Sequence, residues 1–268
     1  MNKQITPSNE IGSPDQNLAR LRRLIPKSLQ PSLRGLRKRW QRKAQNLAEP
    51  FWSVFPYSQV SLAKQENLIR LGGLVEMNQV EGAIVECGVL DGGCSALMAF
   101  ATAASGRPVH MFDSWEGLPE TTGPDGEQAS KWTGECVGSP ARVMAVMNEL
   151  KIDGTRLHFH RGWFHETFPT VDIPSVAMLH IDCDFYEPTL LCLETWYELL
   201  SPGGYIQIDD YDCFQGSRRA TNEFISRHPE LLLHLYEGEV GGQAYYFQKP
   251  ARAGQAPAQE LAVEDLVA

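Results

Sequence analysis

Two short apolar runs, VAMLHIDCD at 176 to 184 and GGYIQIDDY at 203 to 211, end in acids that could act together: Asp182 with Asp184, and Asp209 with Asp210. Period-2 alternation puts Met178, His180 and Asp182 on one face of a strand, with Leu179 and Ile181 on the other, so Asp182 arrives at the strand's C-terminal end. Asp209 and Asp210 do the same for a neighbouring strand. Carboxylates gathered at adjacent strand ends repel unless a cation neutralises them, and an all-oxygen donor set suits Mg²⁺ or a similar hard divalent ion. Such an ion lowers the pKa of a hydroxyl, and Asp182 is the candidate to receive the proton. The bland alternative is that some of these acids are caps and solvated turn residues.

A second constellation is the turn Glu86-Cys87-Gly88-Val89-Leu90-Asp91-Gly92-Gly93. Its glycines let a cofactor approach the backbone and the start of the following helix. The spacing departs from GxGxxG, which points away from a nicotinamide dinucleotide. Asp113, about 25 residues after the first glycine, ends the run PVHMFDS and can accept hydrogen bonds from both ribose hydroxyls of an adenosine-containing cofactor; the competing role is a cap before Trp115. Among the histidines, His165 after Gly162-Trp163 is the better candidate base, whereas His158, His160 and His180 lie in strands and read equally well as structural.

The elements that must position these residues follow from periodicity. Apolar runs at 83 to 88, 108 to 114, 156 to 162, 176 to 184 and 203 to 211 alternate with helical patterns, which predicts an α/β fold with a doubly wound parallel sheet. Helical spacing over Ser61 to Asn78 predicts a helix before the sheet. The runs LLLHLY and QAYYFQ predict a closing hairpin turning near Gly241 and Gly242.

Charge divides the chain. Residues 1 to 50 carry eleven Lys and Arg against Glu10, Asp15 and Glu49, a net of +8, while the remainder has 13 basic and 30 acidic residues, a net of −17. The first 15 residues read as disordered. Residues 18 to 47 read as two short basic amphipathic helices interrupted at Pro26 and Pro31, suited to an anionic membrane surface, an acidic partner, the chain's own acidic domain or a dimer mate. The acidic body speaks against nucleic acid. Residues 51 to 250 form the expected catalytic domain, and 251 to 268 a disordered tail. No apolar run approaches a membrane span and no secretory signal is evident, so a cytoplasmic protein is expected. The six cysteines include no CxxC pair and indicate neither a zinc site nor a disulfide framework.

Five ordered blocks, IVECGVLDGG, FDSWEGLPE, HRGWFHETFP, HIDCDFYEPT and SPGGYIQIDDY, resemble the macrocin O-methyltransferase (TylF-type) family between about Leu68 and Phe247. The resemblance implies a class I methyltransferase fold of seven strands with a helical N-terminal extension, S-adenosylmethionine as cofactor, and Mg²⁺ held by Asp182, Asp209 and Asp210. It makes Glu86, Gly88, Val89, Gly92 and Gly93 the cofactor loop, Asp113 and Ser114 the ribose contacts, Gly162 and Trp163 part of the adenine pocket, and Asp182 a further cofactor contact. It also favours a homo-oligomer.

Sugar-modifying relatives use a histidine base after the FDSWEGLPE block, but residues 121 to 150 contain none, which shifts deprotonation onto Asp182 and the ion. Residues 121 to 139, rich in Gly, Thr and charge, read as a lid. The expected acceptor is a sugar hydroxyl of a glycosylated natural product or glycan. A catechol or other phenol is the competing acceptor, and an adenosyl-binding scaffold docking an acidic partner is the reading without catalysis.

Overall fold

The computed structural model describes residues 26–43, 47–238, 241–251 and 263; the N-terminal stretch, the first of the two expected basic helices and nearly all of the expected tail lie outside the described residues. Seven strands form one sheet: β1 (Ala83–Cys87), β2 (Val109–Asp113), β3 (Leu157–Arg161), β4 (Val176–Ile181), β5 (Leu200–Ile208), β6 (His234–Glu237) and β7 (Gln243–Gln248), in the order β3-β2-β1-β4-β5-β7-β6. β1 to β5 pair in parallel; β7 pairs antiparallel with both β5 and β6, which makes the last two strands the expected hairpin. Positive φ at Gly241 and Gly242 places the turn in residues that accept that conformation without a Cβ penalty.

The helices are α1 (Gln30–Arg42), α2 (Phe51–Val54), α3 (Leu62–Met77), α4 (Gly93–Ala101), α5 (Pro140–Glu149), α6 (Phe164–Thr167), α7 (Tyr186–Leu199) and α8 (Gln215–Arg227). Alternation along the strands sorts the core into two layers. Ile84, Met111, Met178 and Tyr205 face α3, α4 and α5. Val85, Phe112, Leu179, Ile181 and Ile206 face Trp196 of α7 and Phe224 of α8. Both faces are therefore apolar, as a parallel sheet covered by helices requires. Fully buried Trp196 would cost about 3–5 kcal/mol if truncated to Ala.

Pro31 does not break the basic segment. It lies in the first turn of α1, where a missing N–H costs nothing, so α1 runs on to Arg42 as a single helix. Its basic side faces inward: Arg34, Lys38 and Arg42 bond to Asp91, the Ser58 carbonyl and the Trp52 carbonyl. Leu36 and Trp40 face outward, Trp40 at 78% exposure. No helix among the described residues is long and apolar enough to cross a membrane.

Candidate active site

β1 lies between β2 and β4, so the chain leaves β1 toward one side and β4 toward the other, opening a crevice beyond their C-terminal ends. The turns after β1, β2 and β4 carry Leu90, Trp115 and Asp184, all non-glycine residues with φ between +53° and +61°. A left-handed conformation costs a residue with a Cβ roughly 1–2 kcal/mol. Three such costs around one crevice mark it as a site where geometry outweighs local stability.

Two cavities meet there. One, about 520 Å³, is lined by Asp113, Ser114, Gly162, Trp163, His165 and Cys183 among others. The second, about 380 Å³, is lined by Lys64, Gly88, Leu90, Asp182, Asp184, Asp209 and Asp210 among others. Both are walled by Asp113, Gly117 and Leu118, and both fall in the range of small-molecule sites.

The glycine turn is packed more tightly than its composition requires. A Cβ on Gly88 would lie 1.8 Å from the Asp182 carbonyl oxygen, and Gly88 has φ +89°. Cβ atoms on Gly92 and Gly93 would meet Val143 and Ser58 at 2.8 and 2.6 Å. These glycines thus serve close approach of protein elements, and Gly88 alone of the three also lines the acid cleft. Asp113 ties the turn down: Oδ2 accepts from the N–H groups of Val89 and Leu90 at 2.8 Å, and Oδ1 from Trp115 N at 2.6 Å. The cap-like role and exposure to both cavities coexist in one side chain. Burial pushes the Asp113 carboxyl up, against the pull of these three donors. Ser114 Oγ accepts from Glu116 N in the same turn.

Glu86 does not line either cavity. It is buried on the face of β1 shared with His180 of β4 and Gln207 of β5, a polar row across three strands. One carboxylate oxygen bonds His180 Nδ1 at 2.9 Å and the other accepts from Ser95 Oγ. Asn67 of α3 donates to Gln207 at 2.8 Å. Each member of this row finds a partner, which a buried polar group needs.

Beyond the row lie the acids. Oxygens of Asp182 and Asp209 and a nitrogen of His180 all fall within 4.8 Å of one another. Asp210 lines the same cleft, but its Oδ2 accepts from Asp184 N at 2.8 Å and it is not part of that tight group. Burial, then repulsion from Asp209, Asp210, Asp184 and Glu86, pushes the Asp182 carboxyl well above the usual range. Burial and repulsion by Asp210 and Asp209 do the same to Asp184. Asp210 is pushed up to about 7 by burial and Asp209, against the Asp184 N–H and Lys64.

Two cations stand against this charge. Lys64 Nζ is 2.5 Å from the Asp209 carbonyl, 3.5 Å from Asp209 Oδ2 and 3.1 Å from Asp212 Oδ1. His180 Nε2 is 3.7 Å from Asp209 Oδ1; burial pushes the imidazole down, but Asp209 and Glu86 outweigh it and raise its pKa to about 9. Asp209 Oδ1 and His180 Nε2 are both buried without a hydrogen-bond partner, and oxygens of Asp182 and Asp209 lie within 4.8 Å of a His180 nitrogen. That donor chemistry and the surplus negative charge fit a hard divalent cation. Lys64 was not among the residues singled out from sequence; its signal was the unbroken polar run Lys64-Gln65-Glu66-Asn67 in helix α3, all four of which are buried.

Residues of the segment 121–139 line both cavities, Thr122 and Asp125 the first and Trp132 and Cys136 the second. Asp125 accepts from Tyr186 N at 2.6 Å and Thr122 N at 2.8 Å, Leu118 pairs with Gly134 and Glu135, and Trp132 lines the acid cleft.

The profile of the family described as macrocin-O-methyltransferase (TylF) matches residues 14–247, reaching back over the basic helix that the motif blocks do not include. The chain is 31% identical over 186 residues to the 8-demethyl-8-(2,3-dimethoxy-alpha-L-rhamnosyl)-tetracenomycin-C 4'-O-methyltransferase of Streptomyces olivaceus, spanning 66% of this chain and 70% of that protein. It is 30% identical over 184 residues to the demethyldecarbamoylnovobiocin O-methyltransferase of Streptomyces niveus, spanning 65% and 69%. Its fold is similar to the solved structure of the O-methyltransferase NovP, with a TM-score of 0.66 at 23% identity over 84% of this chain and all of that one.

Proposed function

Because the chain belongs to the macrocin-O-methyltransferase family, a family of enzymes, we propose that it moves the methyl group of S-adenosylmethionine onto a sugar hydroxyl of a glycosylated natural product or glycan. The observation that carries this reading is the shared wall of Asp113, Gly117 and Leu118, which joins a largely apolar pocket to an acid cleft. In this reading Gly162 and Trp163 face the adenine, Asp113 and Ser114 the ribose, and Gly88 and Asp182 the methionine end. Val89, Gly92 and Gly93 shape the turn, and Glu86 acts from behind by holding His180. The relative from Streptomyces olivaceus is named for a 4'-O-methylation of a rhamnosyl compound, which supports a sugar acceptor.

The residues to hold a divalent cation are Asp182, Asp209 and Asp210. Such an ion, when bound, makes a sugar hydroxyl more acidic. Asp182, at the C-terminal end of β4 and lining the acid cleft, is placed to take the hydroxyl proton. Lys64 and His180 hold Asp209 in place and offset part of the cluster's charge. The chain needs chiefly to bring acceptor oxygen and sulfonium methyl into line, a task of positioning. For the basic helix the best-supported acidic partner is the chain's own domain, given Arg34 on Asp91 and Arg42 on Glu149.

Calorimetry with S-adenosylhomocysteine followed by methyl-transfer assays on rhamnosides and catechols tests the proposal. No cofactor binding, or transfer to catechols alone, would remove it.

A further inference from the structure

Helix α1 is built inside out. At about 100° per residue, Leu29 at its N-cap, Leu33, Leu36 and Trp40 fall within about 60° of arc, while Arg34, Lys38 and Arg42 centre on the opposite side. An amphipathic helix on a globular domain ordinarily buries its apolar stripe and shows its charges to water. Here the charged side packs on the domain, through Asp91 and the carbonyls of Ser58 and Trp52. The four apolar side chains are left 45% to 78% exposed, in a strip about 16 Å long at the helical rise of about 1.5 Å per residue. Large apolar side chains bared side by side mark an interaction surface, whereas single ones would not.

Charge decides what covers the strip. Arg37 lies along one edge; Lys43 and Arg39 lie along the other, Arg39 still exposed although it reaches Glu149 at 3.7 Å. Residues 26–43 hold seven Lys and Arg and no Asp or Glu. Pairing two copies strip to strip would set these cations against one another, the reverse of the opposite charges that flank a stable helix pair. The counterpart must be negative at its surface and apolar beneath. Anionic headgroups over acyl chains have that layering, with basic edges meeting the headgroups while Leu and Trp enter the boundary below. The whole chain is polarised to match, +8 over residues 1 to 50 against −17 over the rest, so a negative surface attracts this end and repels the body.

We infer that α1 docks the protein on an anionic lipid surface, lying in the plane of the headgroups with Leu29, Leu33, Leu36 and Trp40 inserted. Leu33 and Arg37 also wall a cavity of about 160 Å³ that shares Trp132 and Cys136 with the acid cleft, so docking brings that side of the cleft close to the lipid. The docking is independent of which acceptor is methylated.

Flotation of the full chain with vesicles of phosphatidylcholine alone, and of phosphatidylcholine mixed with phosphatidylglycerol, tests this. Partitioning should rise at least about tenfold with the anionic lipid and fall as salt is raised. Leu36→Glu and Trp40→Glu, at positions exposed enough to accept a charge, should each return partitioning to the level of phosphatidylcholine alone, and Arg37→Glu should weaken it. Melting temperature and S-adenosylhomocysteine affinity should stay unchanged in all three. No binding to either vesicle, equal binding to both, or binding that survives Leu36→Glu and Trp40→Glu overturns the inference. So does a dimer in light scattering that the same two substitutions dissociate, which would assign the strip to a second copy.

Discussion

Arg34 of the basic helix directs Nε at 3.0 Å and Nη2 at 2.7 Å onto one oxygen of Asp91, inside the turn that holds Gly88, Gly92 and Gly93. Arg142 of α5 approaches the same oxygen at 3.0 Å, and Asp91 is fully buried. The N-terminal helix is thereby tied to the turn expected to cradle the cofactor. Arg34→Ala should destabilise the protein by about 1–3 kcal/mol, less than loss of a lone buried partner because Arg142 stays. It should also weaken S-adenosylhomocysteine binding. Urea unfolding and calorimetry check both, and native-like values in both would show the helix to be an independent appendage.

Gly88→Ala meets two obstacles, a positive φ and the Asp182 carbonyl where the methyl would lie. The ends of β1 and β4 would have to separate, moving Asp182. A lower melting temperature together with reduced cofactor affinity is expected; a fully active, equally stable variant would contradict the packing described.

Asp182→Asn and Asp210→Asn remove charge at nearly constant volume. Each should lower turnover at least about a hundredfold, Asp182→Asn through loss of the general base and Asp210→Asn through loss of a cation ligand, while the chain still folds. Chelation should abolish activity in the native protein and Mg²⁺ restore it. Divalent-ion binding followed directly by calorimetry should weaken in both variants, and unchanged ion affinity would exclude these acids as the ligands.

His110 stacks on His158 and His160 along β2 and β3, with its Nδ1 2.9 Å from His160 Nε2. Burial, then the neighbouring imidazoles, lowers its pKa from 6.5 to about 4. The folded state therefore resists a proton that the unfolded chain accepts. Its contribution to stability is complete above about pH 6.5 and is lost progressively as pH falls to about 4. His110→Phe should flatten that part of the melting-temperature profile relative to the native protein; parallel profiles would refute the assignment.

Strand and helix periods were enough to determine β1 to β5, the helix over Ser61 to Asn78, the closing hairpin, and the placement of Asp182, Asp209 and Asp210 at strand ends, because each depends on local alternation and chain order. Local signals could not decide what crosses between elements. Glu86 turned away from the cavities because parallel register set it opposite His180, 94 residues later. Lys64 reached Asp209 only through the packing of α3 on the sheet. The basic helix turned its charges inward because Asp91 and Glu149, distant in sequence, offered it partners. Composition announced that charge; only tertiary packing decided which surface would neutralise it.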